Sequence, residues 1–130
     1  MDDVTRTMLV AGWAGMLCGT LSGAAIGLFF HDERWMGGYG SFRRRLVRLG
    51  HISFFGLGFL NLLFAFTHHV AGGIGAWSGA AAAALLIGAV GMPTCCFLAA
   101  WRKPYRHLFA VPVTGVVVGT VTTLIGLAVG

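Results

Sequence analysis

Apolar residues in this chain come in long unbroken stretches, unlike the alternation of a strand or the narrow stripe of a water-facing helix. Thr7–Phe30, Leu49–Trp101 and His107–Gly130 contain no Asp, Glu, Lys or Arg. A helix that crosses about 30 Å of hydrocarbon needs roughly 20 such residues. Met8–Phe30 supplies one span. The 53-residue middle stretch is too long for one span and sufficient for two. Its turn is legible at His68-His69-Val70-Ala71-Gly72-Gly73-Ile74-Gly75, where glycines and paired histidines break the helical preference. The pattern predicts spans over about residues 8–30, 46–67, 77–100 and 107–129, the last introduced by Pro104. The expected fold is an all-α integral membrane protein, a compact four-transmembrane-helix bundle forming one domain over residues 1–130 with no soluble domain.

Composition supports that reading. Hydrophobic residues make up 57% of the chain and charged residues 10%, and the mean hydropathy is +0.82. A soluble domain carries roughly a quarter charged residues, and a folded chain this short buries only about two-thirds of its surface. These values argue against a soluble enzyme, a disordered segment and a nucleic-acid module. The formal charge of +5 does not reinstate nucleic acid as a partner, because nearly all the basic residues sit in two short loops. Asp2, Asp3 and the length of the first apolar run make a cleavable signal peptide the poorer reading of the N-terminus.

Charge placement sets an expected orientation. Arg34, Arg43, Arg44, Arg45 and Arg48 lie between the first two spans, and Arg102, Lys103 and Arg106 between the last two; only Arg6 falls at the other end. Basic loops stay in the cytoplasm, so both termini are expected outside, with a bacterial inner (plasma) membrane as the setting. Trp35 and Trp101 at one boundary, and Trp13 and Trp77 at the other, suit an aromatic belt.

Helices in lipid associate by close van der Waals approach, so small residues mark their interfaces. Gly15, Gly19, Gly23 and Gly27 place a glycine at every fourth position of the first span, and Gly115 and Gly119 echo this in the fourth. Either these ridges pack the four helices together or one receives a helix of another polypeptide. Asn61, inside the second span, is expected to hydrogen-bond a neighbouring helix.

Candidate chemistry reduces to histidine. All four carboxylates are terminal or in loops, which argues against proton or cation transport through the membrane, and no phosphate loop, HExxH or CxxC is present. Cys18, Cys95 and Cys96 are an odd set within apolar segments and read as buried small hydrophobes. His31, His51 and His107 cluster at the expected cytoplasmic boundary, and Arg44, Arg48 and His51 share a helical stripe. Imidazoles from two helices can bracket a haem b, with arginines beside its propionates, and the same residues suit a quinone. The simpler alternative is that these are interfacial residues reaching water and headgroups. Two functional expectations follow: a non-catalytic accessory subunit of a larger membrane complex, in contact with lipid and other membrane subunits, or a haem- or quinone-binding electron-transfer subunit that uses His51 and a second histidine.

Overall fold

The computed structural model of the chain describes residues 1–129, and these are mostly helical, with no strand among them. Four helices follow one another: α1 (Asp3–Phe29), α2 (Phe42–Val70), α3 (Ser78–Trp101) and α4 (Ala110–Val129). Short 3₁₀ turns at Trp35–Gly37, Gly75–Trp77 and Lys103–Phe109 lead into the last three. All four helical segments are long and apolar enough to cross a membrane. The chain is an all-α four-helix integral membrane protein.

The helices start where backbone donors find caps. Asp2 accepts the Thr5 amide at 2.8 Å to open α1, and the Ser41 hydroxyl accepts the Arg44 amide at 3.1 Å to open α2. Both helices therefore begin a turn earlier than apolarity alone predicts. The α2–α3 turn is shorter than its sequence suggests. His68, His69 and Val70 remain helical, because Ala71 still donates to the Thr67 carbonyl and Gly73 to that of His68. The break comes at Gly72 and Gly73, whose φ values of 70° and 104° favour glycine. The fourth helix begins later than expected: His107 belongs to the 3₁₀ lead-in, and α4 starts at Ala110. Pro112 then sits in its first turn, where a missing amide hydrogen is harmless.

Packing runs in sequence order. α1 lies antiparallel on α2, α2 on α3 and α3 on α4, with α1 also touching α3. Glycines set the first seam. A Cβ at Gly12 would meet Leu62, one at Gly15 would meet Gly58, one at Gly19 would meet Phe55, and one at Gly23 would meet His51. As residue numbers rise on α1, those of their partners fall on α2. The fourth helix repeats the device: a Cβ at Gly115 would lie 2.8 Å from the Ala84 carbonyl oxygen, and one at Gly119 would lie 2.6 Å from Leu85. Both ridges are thus filled from within the chain. Gly27 is the exception to the expected pattern, with nothing within 4 Å of its would-be Cβ. The apolar core gathers toward the end that carries the chain termini, around Met8, Phe64, Ala65, Ile74, Ala81, Ala82 and Leu85.

The outward faces carry Trp13, Leu17, Leu21, Phe59, Phe66, Val90, Val117 and Leu124, all exposed. In hydrocarbon this is an ordinary surface. An open apolar cleft of about 240 Å³ separates α4 from α2, lined by Leu60, Phe64, Leu85, Thr123 and Leu124 among others.

Close approach without room for a methyl group makes a contrast testable. Gly115→Ala drives a Cβ into backbone and should cost about 1–3 kcal/mol, lowering the thermal midpoint in detergent. Gly27→Ala has open space and should leave the midpoint unchanged or slightly raised. Equal midpoints for the two variants would refute the seam.

Candidate functional site

His51 lies ten residues into α2, about 14 Å from its start by helix rise. The imidazole lies three residues beyond Arg48, near the start of the charge-free stretch Leu49–Trp101. It rests in the notch left by Gly23, where an added Cβ would be 2.6 Å from its Cε1. The ring stands edge-on to Phe55, with centroids 5.4 Å apart. Its Nδ1 is 3.1 Å from the Ser22 hydroxyl, which itself lies 3.0 Å from the Gly19 carbonyl oxygen. A Ser22 hydroxyl that donates to Gly19 leaves Oγ free to accept from Nδ1. Nε2 has no hydrogen-bond partner among the described residues. The ring is half-buried, between the α1–α2 seam and the surface.

The other expected ligands lie elsewhere. His107 is exposed in the 3₁₀ turn before α4, beside Lys103, Pro104 and Arg106, and His31 is exposed just beyond α1. The structure places His51 on the α1–α2 seam and these two in surface loops. Arg48 is half-buried on α2 and makes no hydrogen bond or ion pair among the described residues. No three of His, Cys, Asp and Glu come together as a metal-binding cluster among those residues.

Arg44, expected beside a propionate, has another task. Its side chain is fully buried, with Nη2 donating to the Phe30 carbonyl at 2.8 Å and Nη1 to that of Asp32 at 3.0 Å. The Tyr39 ring lies 3.9 Å from the guanidinium, with Trp35 and Phe30 at 5.3 and 5.5 Å. Tyr39 also donates to the Phe30 carbonyl at 3.0 Å. Carbonyls at the end of a helix carry partial negative charge, and aromatic faces attract cations. Arg44 therefore closes the end of α1 from its neighbour helix. Its guanidinium is unavailable to a ligand.

Asn61 is buried as expected, but its amide makes no bond to a neighbouring helix: neither Nδ2 nor Oδ1 has a partner among the described residues. Gly58 and Ala65, its neighbours on the same face of α2, have no polar side-chain atom to offer. Cys95 and Cys96 are buried and unpaired, whereas Cys18 is exposed.

At the opposite end lies a network that sequence reasoning missed. Buried His68 joins three helices. Its Nδ1 is 3.0 Å from the Thr5 hydroxyl and 3.6 Å from the Asp2 carboxylate, and its Nε2 is 2.9 Å from the Ser78 hydroxyl. Thr5 donates to Asp2 at 2.8 Å, so it receives the His68 Nδ1–H. The spacing Asp2-x-x-Thr5 at a helix start is the signal that was available. His68 itself was hidden by the assumption that the turn began there. Both of its ring nitrogens are engaged, which distinguishes it from His51.

No family model, curated protein or solved structure matches this chain, so its function is argued from its own geometry.

The terminal network predicts a titration. The Thr5 amide, then the Thr5 hydroxyl, and more weakly His68, hold the Asp2 carboxyl down from its ordinary 3.8 to about 2. A carboxyl depressed in the fold contributes stability above its unfolded pKa and loses it as pH falls through the folded one. The cap should therefore persist to below pH 3.8 and fail near pH 2. Carbon-13 NMR of the Asp2 carboxyl should show that midpoint, and Thr5→Val should move it upward. An unshifted midpoint in the native chain would contradict the network.

Proposed function

We propose that this chain is an accessory subunit of a larger membrane complex of the redox or energy-converting kind. On this reading it lies in a bacterial inner membrane, with its arginine-rich end in the cytoplasm and both termini outside. The observation that carries the proposal is the bare Nε2 of His51. Ionisable groups at membrane depth are functional sites by default. A ring nitrogen without a partner costs free energy wherever water is absent, and lipid tails supply no partner. A partner from an adjacent subunit, reaching the α1–α2 seam, relieves that cost. The glycine ridges do not serve this contact, since α2 and α3 already fill them.

The same observation favours a second reading, in which His51 ligates a haem or accepts a hydrogen bond from a quinol. Histidines that bind metals characteristically donate their other ring N–H to an oxygen, which fixes the tautomer. His51 Nδ1 lies 3.1 Å from the Ser22 hydroxyl, within reach of such a bond. On this reading the second axial ligand of a haem comes from a partner, because His31 and His107 are loop residues at the arginine-rich end.

Purification from native membranes in mild detergent tests both. The chain should elute within a larger assembly, and His51→Ala should weaken its retention about tenfold, the effect of one buried hydrogen bond. A Soret band in the native preparation that disappears in His51→Ala selects the haem reading. A colourless monomer at native expression, indifferent to the substitution, would overturn both.

A further inference from the structure

Where α2 and α3 meet at the arginine-rich end, a cleft of about 470 Å³ opens, lined by Met36, Arg43, Val47, Phe97, Ala100 and Trp101. Its chemistry is divided. Val47, Phe97, Ala100 and Trp101 form an apolar floor that continues down the two helices. Arg43 supplies the only charged side chain in the lining.

That guanidinium is positioned. Its Nε donates to the Ala100 carbonyl at 3.0 Å, which ties α2 to the last turn of α3. The two terminal nitrogens have no protein partner among the described residues, and the residue is exposed. A guanidinium held by Nε presents its remaining N–H groups as a fork that matches a phosphate. Two further cations stand on rings next in sequence to, or within, the lining. Arg102 stands over the Trp101 ring at 5.2 Å, and Lys103 over Phe42 at 6.0 Å. No carboxylate lines the cleft, and Asp32, in the nearby loop, is turned toward the Arg34 amide at 2.9 Å.

Backbone strain is concentrated at the same place. Met36 is the one non-glycine residue with positive φ among those described, at 54°. The conformation is held by the Ser41 hydroxyl donating to its carbonyl at 2.7 Å, and Met36 forms one wall of the cleft. Strain of this type persists where surrounding structure fixes it, often at ligand sites.

We propose that this cleft is a binding site for one anionic phospholipid. Its phosphate lies on the Arg43 fork with Arg102 and Lys103 alongside, and an acyl chain follows Val47 and Phe97 toward the bilayer interior. The cleft combines a fixed cation at the level of an interfacial tryptophan with an apolar floor leading inward, and an anionic amphiphile matches both parts. The proposal does not depend on the subunit reading, because the site is formed by this chain alone.

Native mass spectrometry of the detergent-solubilised full chain tests it, with phosphatidylglycerol, phosphatidylcholine or inorganic phosphate added in turn. One phosphatidylglycerol should be retained about fivefold more tightly than phosphatidylcholine, the increment expected of a single interfacial charge. Arg43→Gln should abolish that preference, and Trp101→Ala should weaken retention of both lipids. Arg45→Gln, an exposed neighbour outside the cleft, should leave the preference intact. Equal retention of the two lipids would overturn the proposal, as would equal losses in Arg43→Gln and Arg45→Gln. Displacement of the lipid by inorganic phosphate would overturn it in favour of a soluble phosphate ligand. Thermal melts of each variant separate a lost site from a lost fold.

Discussion

Bare backbone against backbone is the contact on which this molecule depends. In hydrocarbon the lipid tails are as apolar as leucine, so burying one helix on another gains little from the hydrophobic effect. The gain comes from dispersion between atoms that can approach closely, and each such contact is worth only about 0.1–0.2 kcal/mol. Gly12, Gly15, Gly19 and Gly23 let α2 lie close to α1, and Gly115 and Gly119 do the same for α3 against α4. The seam also places the chemistry. The His51 ring occupies the room where residue 23 has no side chain, and Ser22, one position earlier, lies 3.1 Å from its Nδ1.

The two ends of the bundle secure that seam by different means. At the arginine-rich end a buried guanidinium without a carboxylate partner bridges α2 to the Phe30 and Asp32 carbonyls just past the end of α1 and lies against three aromatic rings. At the end carrying the termini, His68 links the start of α1 to the start of α3 through Thr5 and Ser78. The Arg44 clasp bonds both terminal nitrogens but leaves Nε buried without a partner among the described residues, whereas His68 is engaged at both ring nitrogens. Of the residues that resembled ligands in the sequence, Arg44 is thus committed to the fold, while His51 keeps a ring nitrogen without a protein partner among the described residues.

The four helices and the small-residue packing were legible in the sequence because both follow from local composition. Span length follows from bilayer thickness, and a glycine every fourth residue on a helix defines one face. Pairing across helices was not legible. The repeat Gly15-Gly19-Gly23-Gly27 does not reveal that its last member faces open space, since α2 supplies no atom near Gly27. Nor does the stripe Arg44-Arg48-His51 reveal that the first arginine turns back to cap α1. Helix ends were misplaced where capping outweighed apolarity: Asp2 and Ser41 extended α1 and α2, and backbone bonds carried α2 through His68 to Val70. His31 and His107 share the arginine-rich end with the start of α2, but nearness to one boundary said nothing of which face His51 occupies. Asn61 carried no signal that its amide would be left without a partner.

The central claim is that the α1–α2 seam holds His51 through Nδ1, in the notch of Gly23 and at hydrogen-bond distance from Ser22 Oγ, and leaves Nε2 without a protein partner among the described residues. Nitrogen-15 NMR of ring-labelled histidine in the bilayer-reconstituted chain measures this directly, with His51→Gln assigning the signal. The His51 Nδ1 signal should carry the signature of a hydrogen bond and move in Ser22→Ala, while Nε2 should be unaffected by that substitution. A ring indifferent to Ser22 would contradict the claim.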